Sequence, residues 1–414
     1  GIAFDGLAAV KASSLDTNGQ GVTLTIDGAG AVSTGTVSFT QVSSIQGDST
    51  DVLNAMAGGS EFAVLGINRV ESSGITFNGL GRIQGGTGAD KVTGADQLTV
   101  ASDGSNTVVT ASESGGLVFR DIDTFSTNNG ALTDNQGGET ITLNSDSSIG
   151  VHGISFTGLA SMAADGNGYL DASGFASGVT LNAANAVDAS GLVVSGLSRV
   201  TVPLLYGTTA AETFRVSDTG GTTTIDVDGY GISFDGVSQV QAGEGSGDGD
   251  VLVAAQSIHH DISSDIFATL LGIDFYQLET LDLAGGTLSG TAGNDDFTLV
   301  NSNTVSHSAN SAFNFRNVSG VTGGSGVTTL DATALATGLY LTSASGSSVA
   351  TDTSDGITFD GLASVKASSL DTNGQGVTLT IDGPGAVSSG TVSFTQVSSI
   401  QGDNTDSVSG DASW

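Results

Sequence analysis

Apolar residues recur along the chain as a three-part pattern: an anchor, usually Phe, is followed by two further apolar residues at intervals of three. The anchors follow one another at steps of 35 to 44 residues, about 39 on average. Such regular recurrence predicts an array of small repeated modules rather than a set of independent domains. The eleven anchors are Phe4, Phe39, Phe77, Phe119, Phe156, Val194, Phe234, Phe275, Phe315, Phe359 and Phe394.

A second, longer repeat contains the first. Residues 1–50 recur at residues 356–405 with five differences, an offset of 355 residues that nine of the small modules fill. We therefore predict one large repeat at 1–355, the start of the next copy at 356–405 and a divergent tail at 406–414. We also expect the chain to be part of a longer array. The differences are Ala3/Thr358, Ala9/Ser364, Ala29/Pro384, Thr34/Ser389 and Ser49/Asn404.

Between the anchors the sequence predicts short β-strands separated by turns. Segments such as GVTLTIDG (21–28) and TTTIDVDG (222–229) alternate in polarity, are rich in Val, Thr and Ile, and end in Asp-Gly. Alternation with β-branched residues is typical of strands whose two faces meet different surroundings. Helices are disfavoured, because Gly, Ser, Thr, Asn and Asp dominate the composition.

The spacing of three within the pattern predicts a corner between two strands. Six anchors are followed by a small or polar residue and then Gly, as in Asn78-Gly79 and Asp360-Gly361, and glycine supplies the positive φ of a tight bend. The alternative is a two-residue hairpin, for which Asp-Gly and Asn-Gly are strong signals. Five anchors lack that Gly, as in Thr40-Gln41, and a type I′ hairpin turn tolerates such residues poorly, which favours the corner.

The modules together predict an all-β fold, a parallel β-solenoid in which equivalent anchors stack into an internal ladder. Each module has residues for five or six short strands, so we expect two rungs of about 20 residues per module and eighteen rungs per large repeat. Parallel crossovers favour a right-handed β-helix. The alternative is a series of tandem β-sandwich domains of about 100 residues, for which a 39-residue step is short.

Composition and charge exclude several classes of protein. The chain carries nine Lys and Arg against 43 Asp and Glu, a formal net charge of -34, so it is not expected to bind nucleic acid or an anionic membrane through a basic surface. It has no Cys, which removes disulfide scaffolds and thiolate metal sites. No apolar run reaches the roughly 18 residues of a membrane-spanning helix.

Three Gly-rich stretches resemble the repeat regions of giant bacterial surface and secreted adhesins of the filamentous-haemagglutinin type. They are GGTGADKVTG (85–94), YGTTAAETFRV (206–216) and GTAGNDDFTLV (290–300). The resemblance implies an extracellular or cell-surface location and a role in a stalk, filament or biofilm matrix. It implies neighbouring copies of the repeat as partners, with lateral self-association or surface glycans as further candidates, and it carries no catalytic residues.

One stretch resembles a more specific pattern, the calcium nonapeptide of RTX proteins. Residues 85–93 match it with Asp90 in the acidic position, and residues 290–298 match with one Gly missing and Asp295 in that position. We add Asp296 and Asp250 as candidate calcium ligands, because carboxylate oxygens suit that ion. The alternative is an ordinary Gly-rich turn, since the two copies lie 205 residues apart and RTX sites need consecutive nonapeptides.

Polar residues suited to catalysis do not cluster in the sequence. The cations follow the repeat register, so we expect each to be a surface neighbour of acidic groups. His259 and His260 are predicted to point to opposite faces of a strand, and His152 and His307 are interpreted as isolated surface residues. The leading hypothesis is a non-catalytic structural repeat segment. A calcium-dependent glycan- or partner-binding module is the second, and a carbohydrate-active β-helix enzyme the third.

Overall fold

The computed structural model describes residues 6–102, 107–138, 140–145, 147–243, 249–254, 259–261, 267–308, 314–343, 345, 347–354 and 356–410. Within these residues the protein is all-β, with 59% of the chain in strands and no α-helix. A single 3-10 turn spans Ser112–Ser114. The described part of the chain has no helix long and apolar enough to cross a membrane.

The strands are short, and most contain three to six residues. Up to residue 206 they are β1 (Ala9–Lys11), β2 (Ser14–Asp16), β3 (Thr23–Gly28), β4 (Ala31–Thr34), β5 (Val37–Thr40), β6 (Ser44–Gln46), β7 (Val52–Asn54), β8 (Glu61–Gly66), β9 (Arg69–Ser72), β10 (Ile75–Asn78), β11 (Arg82–Gln84), β12 (Lys91–Thr93), β13 (Gln97–Ser102), β14 (Thr107–Ala111), β15 (Val118–Arg120), β16 (Thr124–Asp134), β17 (Thr140–Ser145), β18 (Ser148–Val151), β19 (Ile154–Asp171), β20 (Val179–Ala183), β21 (Ala186–Ala189), β22 (Leu192–Thr201) and β23 (Leu204–Tyr206).

The remaining strands follow the same pattern of lengths. They are β24 (Thr213–Thr219), β25 (Thr222–Val227), β26 (Ser233–Asp235), β27 (Gln239–Gln241), β28 (Val251–Ala254), β29 (His259–Asp261), β30 (Phe267–Leu270), β31 (Ile273–Tyr276), β32 (Thr280–Ser289), β33 (Asp295–Asn301), β34 (Thr304–His307), β35 (Asn314–Thr322), β36 (Thr328–Asp331), β37 (Leu339–Leu341), β38 (Ser348–Ala350), β39 (Thr358–Asp360), β40 (Ser364–Lys366), β41 (Ser369–Asp371), β42 (Thr378–Gly383), β43 (Ala386–Ser389), β44 (Val392–Thr395), β45 (Ser399–Gln401) and β46 (Ser407–Gly410).

The chain divides into two compact units, the first formed by residues 1–205 with 229–236 and the second by 206–228 with 237–414. Within the first unit the strands form two hydrogen-bonded ladders. One ladder runs β1, β5, β4, β3, β7, β11, β15, β14 and β13, and continues through the middle of β16, β19 and β22. The other runs β2, β6, β10, β9, β8 and β12, then the start of β16 and β19, then β18 and β17.

The second unit is built in the same way. One of its ladders runs β25, β24, β28, then the start of β32 and β35, then β34, β33, β36, β40, β44, β43, β42 and β46. The other contains β27, β31 and β30, and a further run of β29, the ends of β32 and β35, β39, β38, β37, β41 and β45. Stacked coils of this kind form the β-solenoid that the sequence predicts, rather than tandem β-sandwich domains.

The coil is longer than the sequence suggests. Leu24 pairs with Leu53 in the neighbouring coil and Leu53 pairs with Ile83, so one coil takes about 30 residues. The chain accordingly makes about 12 turns. The prediction of two 20-residue rungs per module and eighteen rungs was wrong, because part of each module folds back on itself instead of completing a second rung.

This fold-back is a meander of three antiparallel strands, exemplified by β3, β4 and β5 and then by β8, β9 and β10. The anchor Phe lies in the third strand, as Phe39 does in β5 and Phe77 in β10. The solenoid is therefore not purely parallel. Pairing between coils is parallel, and each meander adds two antiparallel pairings within the same ladder.

The predicted corners follow the anchors, where the chain passes from one ladder to the other. Phe39 lies in β5 of one ladder and Ile45 in β6 of the other, and Val42 fills the corner between them with only 2% of its surface exposed. The second corner residue has a positive φ in every module, with or without glycine, as at Gly79 (81°) and Gln41 (64°). The corner interpretation is therefore confirmed over the two-residue hairpin.

The core lies between the two ladders of each unit and is lined by the anchors. Nine anchors are at most 1% exposed, Phe39 is half-buried and Phe4 lies outside the described residues. Successive anchors occupy alternate ladders, so they do not stack into the single internal column that we expected. Phe77 pairs instead with Ile45, and Phe156 stacks on Phe125 of the same ladder with ring centroids 5.4 Å apart.

Candidate functional site

The predicted calcium loops share one construction, in which a Gly is followed five positions later by a buried acid. The pattern occurs as Gly85 with Asp90, and as Gly290 with Asp295. A Cβ on Gly85 would lie 1.8 Å from the carbonyl oxygen of Asp121, so only glycine fits beside the neighbouring coil. The acid stands next to the start of a strand, where its side chain turns inward towards the loop.

Asp90 has 1% of its surface exposed and binds backbone groups on both sides. Its Oδ1 accepts the N–H of Ser60 at 2.7 Å and its Oδ2 accepts the N–H of Gly86 at 2.6 Å. Burial raises the pKa of Asp90; the hydrogen bonds from Gly86 and Ser60 lower it in part, and the nearby charge of Asp123 raises it further. The carboxylate thus ties its own loop to the loop of the preceding coil.

Asp295 has no exposed surface and makes more hydrogen bonds than Asp90 does. Oδ1 accepts the Thr291 N–H at 2.8 Å, Oδ2 accepts the Gly324 N–H at 2.9 Å, and the Nε2 of His307 lies 3.1 Å from Oδ1. Burial works to raise the pKa of Asp295. The hydrogen bonds from Thr291, Gly324 and His307 oppose it together, and the pKa lies below the ordinary value for an aspartate.

Asp250 belongs to a series of acids linked along the coils. It accepts the N–H of Glu212 at 2.7 Å, and its own N–H donates to Glu279 at 2.7 Å. In the same way the N–H of Asp90 donates to Asp123 at 2.7 Å. Each acid therefore receives a backbone donor from one coil and offers its own backbone donor to the acid of another.

The sequence did not single out Asp51, which binds its neighbours more extensively than any predicted ligand in the first unit. Asp51 accepts the Val22 N–H at 2.6 Å, the Asp48 N–H at 2.8 Å and the Thr17 hydroxyl at 2.7 Å. The second copy of the large repeat reproduces this set at Asp406, with 2.8, 2.7 and 2.6 Å for the corresponding donors. The signal that could have found it is a Gly four residues before the acid in both copies.

The four predicted calcium ligands are not brought together into one cage. Asp90 lies in the first unit and the other three in the second. Asp295 and Asp296 are adjacent but point to opposite sides of β33: Asp295 is buried, whereas Asp296 is exposed and accepts the Thr329 hydroxyl at 2.5 Å. The described residues contain no group of three or more His, Asp or Glu side chains arranged to hold a metal ion. The buried carboxylates act here as acceptors for backbone N–H groups of neighbouring coils.

Two histidines that were interpreted as isolated surface residues are paired with buried acids, so that interpretation was wrong. The His307 side chain has no exposed surface and lies against Asp295. His152 is 19% exposed and its Nε2 lies 2.8 Å from Asp134, which is 1% exposed. In the other histidine pair, His260 is opposite the buried Leu288, and its ring lies 5.6 Å from that of Phe315.

Two arginines at repeat-defined positions form ion pairs across neighbouring strands. Arg199 lies 2.5 Å from Asp235, and its guanidinium also covers the ring of Tyr169 at 4.9 Å. Arg316 lies 3.0 Å from Asp282. These pairs join neighbouring coils at the solenoid surface, as the repeat register predicts for cations next to acids.

Comparison with known proteins adds no relative. No family model matches the chain, and no curated protein or solved structure matches it either. The fold that the chain defines is the β-solenoid, and the function has to be argued from its own residues.

Proposed function

We propose that the chain is a structural repeat segment of an extracellular bacterial stalk, filament or adhesin. The observation that carries this proposal is the recurrence of the Asp51 hydrogen bonds at Asp406, one large repeat later. A contact between neighbouring coils that recurs at the repeat distance is what an extendable array needs, because each coil is then held by the next one and not by a unique partner elsewhere.

The physical mechanism is additive stacking. Parallel strands hydrogen-bond from coil to coil, the anchors bury apolar surface between the ladders, and the buried acids bind backbone N–H groups of adjacent coils. In a repeat protein stability is close to a sum of such nearest-neighbour terms, so the length of the array is not limited by a single core. The net charge of -34 favours separation of neighbouring arrays in solution through repulsion.

The resemblance of the Gly-rich stretches to bacterial adhesin repeats supports a location outside the cell or on its surface. The absence of Cys is compatible with that location, because stacked coils hold one another without disulfides. Neighbouring copies of the repeat in the same chain are the proposed partners.

The test is a length series. Chains with one, two and three copies of the 355-residue repeat are made and compared by electron microscopy and small-angle scattering. The proposal expects particles of constant width whose length rises in proportion to copy number. Globular particles, or particles whose width rises with copy number, contradict it.

The calcium-dependent module remains an alternative prediction with a direct test. Calcium takes six to eight oxygen ligands, whereas the oxygens of Asp90 and Asp295 already accept backbone N–H groups. We therefore expect the thermal midpoint to be the same in EDTA and in millimolar calcium chloride. A midpoint that rises with calcium but not with magnesium at equal ionic strength would favour the calcium-dependent module instead.

A further inference from the structure

Arg82 stands out among the arginines of this acidic chain because it lacks an acidic partner. It lies in β11 just before a buried apolar residue, Ile83, as Arg199 lies just before Val200 in β22. Arg199 is bound to Asp235. The Arg82 side chain forms no hydrogen bond or ion pair with the described residues, and its Nε–H is buried without a partner.

The register of the strands explains the difference. In β26, Asp235 lies opposite Thr201, diagonally across from Arg199. The matching position opposite β11 is Arg120 in β15, which pairs with Gln84. A second arginine therefore stands beside Arg82 in the position where the other site has its carboxylate.

The same comparison applies from the side of Arg120. In the second unit Arg316 follows an anchor Phe, as Arg120 does, and the cross-strand residue opposite Arg316 is Asp282, its ion-pair partner. The residue opposite Arg120 is Gln84. Two positions that hold an acid elsewhere in the repeat thus hold Arg120 and Gln84 here.

Both arginines line one open cavity of about 340 Å³ on the surface of the first unit. Ser49, Thr50 and Gly81 form part of its wall, and Gly81 fits because a Cβ there would lie 2.0 Å from the carbonyl oxygen of Ser49. The acid that borders the cavity, Asp51, already accepts donors from Val22, Asp48 and Thr17.

We propose that this cavity, the Arg82–Arg120 site, binds an oxyanion: a carboxylate or sulfate group. A guanidinium presents paired N–H donors that match the oxygens of such a group, and two guanidinium groups beside a hydroxyl-bearing loop offer donors from two directions. The anion takes the place that Asp235 has beside Arg199. The group can come from a free inorganic anion or from an acidic sugar, since both present the same oxygens.

The test uses the Nε–H signals of the arginines in nitrogen-15 NMR spectra of the full chain. Sodium sulfate, sodium glucuronate and neutral glucose are titrated separately, with sodium chloride added to keep the ionic strength constant. We expect sulfate or glucuronate to shift the Arg82 signal saturably while the Arg199 signal stays in place, and glucose to shift neither. A response to sulfate alone identifies a free inorganic anion as the ligand, and a response to glucuronate identifies a sugar carboxylate.

A matched pair of variants gives the second measurement. Arg82→Gln is expected to abolish the anion-dependent rise in thermal midpoint, and Arg199→Gln, in the same repeat position, is expected to keep it. No saturable shift at Arg82 with either anion, or equal shifts at Arg82 and Arg199, overturns the proposal. If Arg82→Gln fails to fold, the NMR titration of the unmodified chain still decides.

Discussion

Replacing Asp51 by Ala tests whether a buried carboxylate holds neighbouring coils together. The substitution removes the acceptor for two backbone N–H groups, of Val22 and Asp48, and for the hydroxyl of Thr17. Asp51 has no exposed surface, so water does not replace the lost oxygens without movement of the loop. Asp16→Ala is the control in the same unit, because Asp16 is exposed and accepts one N–H, from Asn18 at 2.8 Å.

The expected cost follows from the number of donors left without an acceptor. A buried polar group that loses its partner costs about 1–3 kcal/mol, and three such donors give about 3–6 kcal/mol once the loop has partly relaxed. Asp16→Ala is expected to cost about 1 kcal/mol or less, since water reaches the freed N–H. Asp51→Asn keeps one acceptor oxygen at nearly the same volume and should fall between the two.

The assay combines urea unfolding with amide hydrogen exchange of the first unit. We expect Asp51→Ala to lower the unfolding midpoint and to speed exchange at Val22 and Asp48 more than at strands several coils away. The reasoning is refuted if Asp51→Ala and Asp16→Ala have equal effects. It is also refuted if exchange at Val22 is unchanged although global stability falls.

Three further predictions concern the core, the corners and the response to pH. Phe77→Ala should cost about 3–5 kcal/mol and Phe77→Leu clearly less, measured by urea unfolding, because Phe77 is fully buried. Gly79→Ala should destabilise more than Gly361→Ala: both carry the cost of positive φ, about 1–2 kcal/mol, but only at Gly79 does the added Cβ lie 2.4 Å from a backbone oxygen; equal losses would rule out the close approach. The stability contributed by Asp295, whose pKa is lowered by its hydrogen bonds against the effect of burial, is complete above the unfolded pKa of about 3.9 and is lost as pH falls through the folded pKa. Asp90, whose pKa is raised by burial, has the opposite sign, and carboxyl carbon NMR should show it titrating at a higher pH than Asp295.

The sequence supports the prediction of those features that depend on a few neighbouring residues. The buried anchors follow from the pattern of three, and the corners follow from glycine at the second position after an anchor. The corners at Gln41 and Gln277 have φ values of 64° and 63°, so the surrounding fold imposes the bend even where the residue type does not favour it. Neighbouring coils fix the ends of the corner, and its conformation follows.

The coil length and the role of the acids depend on contacts between distant residues, which the sequence pattern does not contain. The donors to Asp90 and Asp295 include Ser60, 30 residues away, and Gly324, 29 residues away. Sequence spacing around Asp90 resembles a calcium loop because both kinds of loop need glycines and an acid at fixed positions. Which way the carboxylate points is decided by the adjacent coil, and there the partners are backbone N–H groups.

The mismatch between module and coil bears directly on how the array extends. A module has about 39 residues and a coil about 30, so Phe39, Phe77, Phe119 and Phe156 fall on alternate ladders of the first unit. The same sequence pattern must therefore fold on either ladder, and it can do so because each module brings its own three-strand meander, buried anchor and corner. Such a unit requires only an adjacent coil to stack on, so copies can be added without changing the packing of those already present.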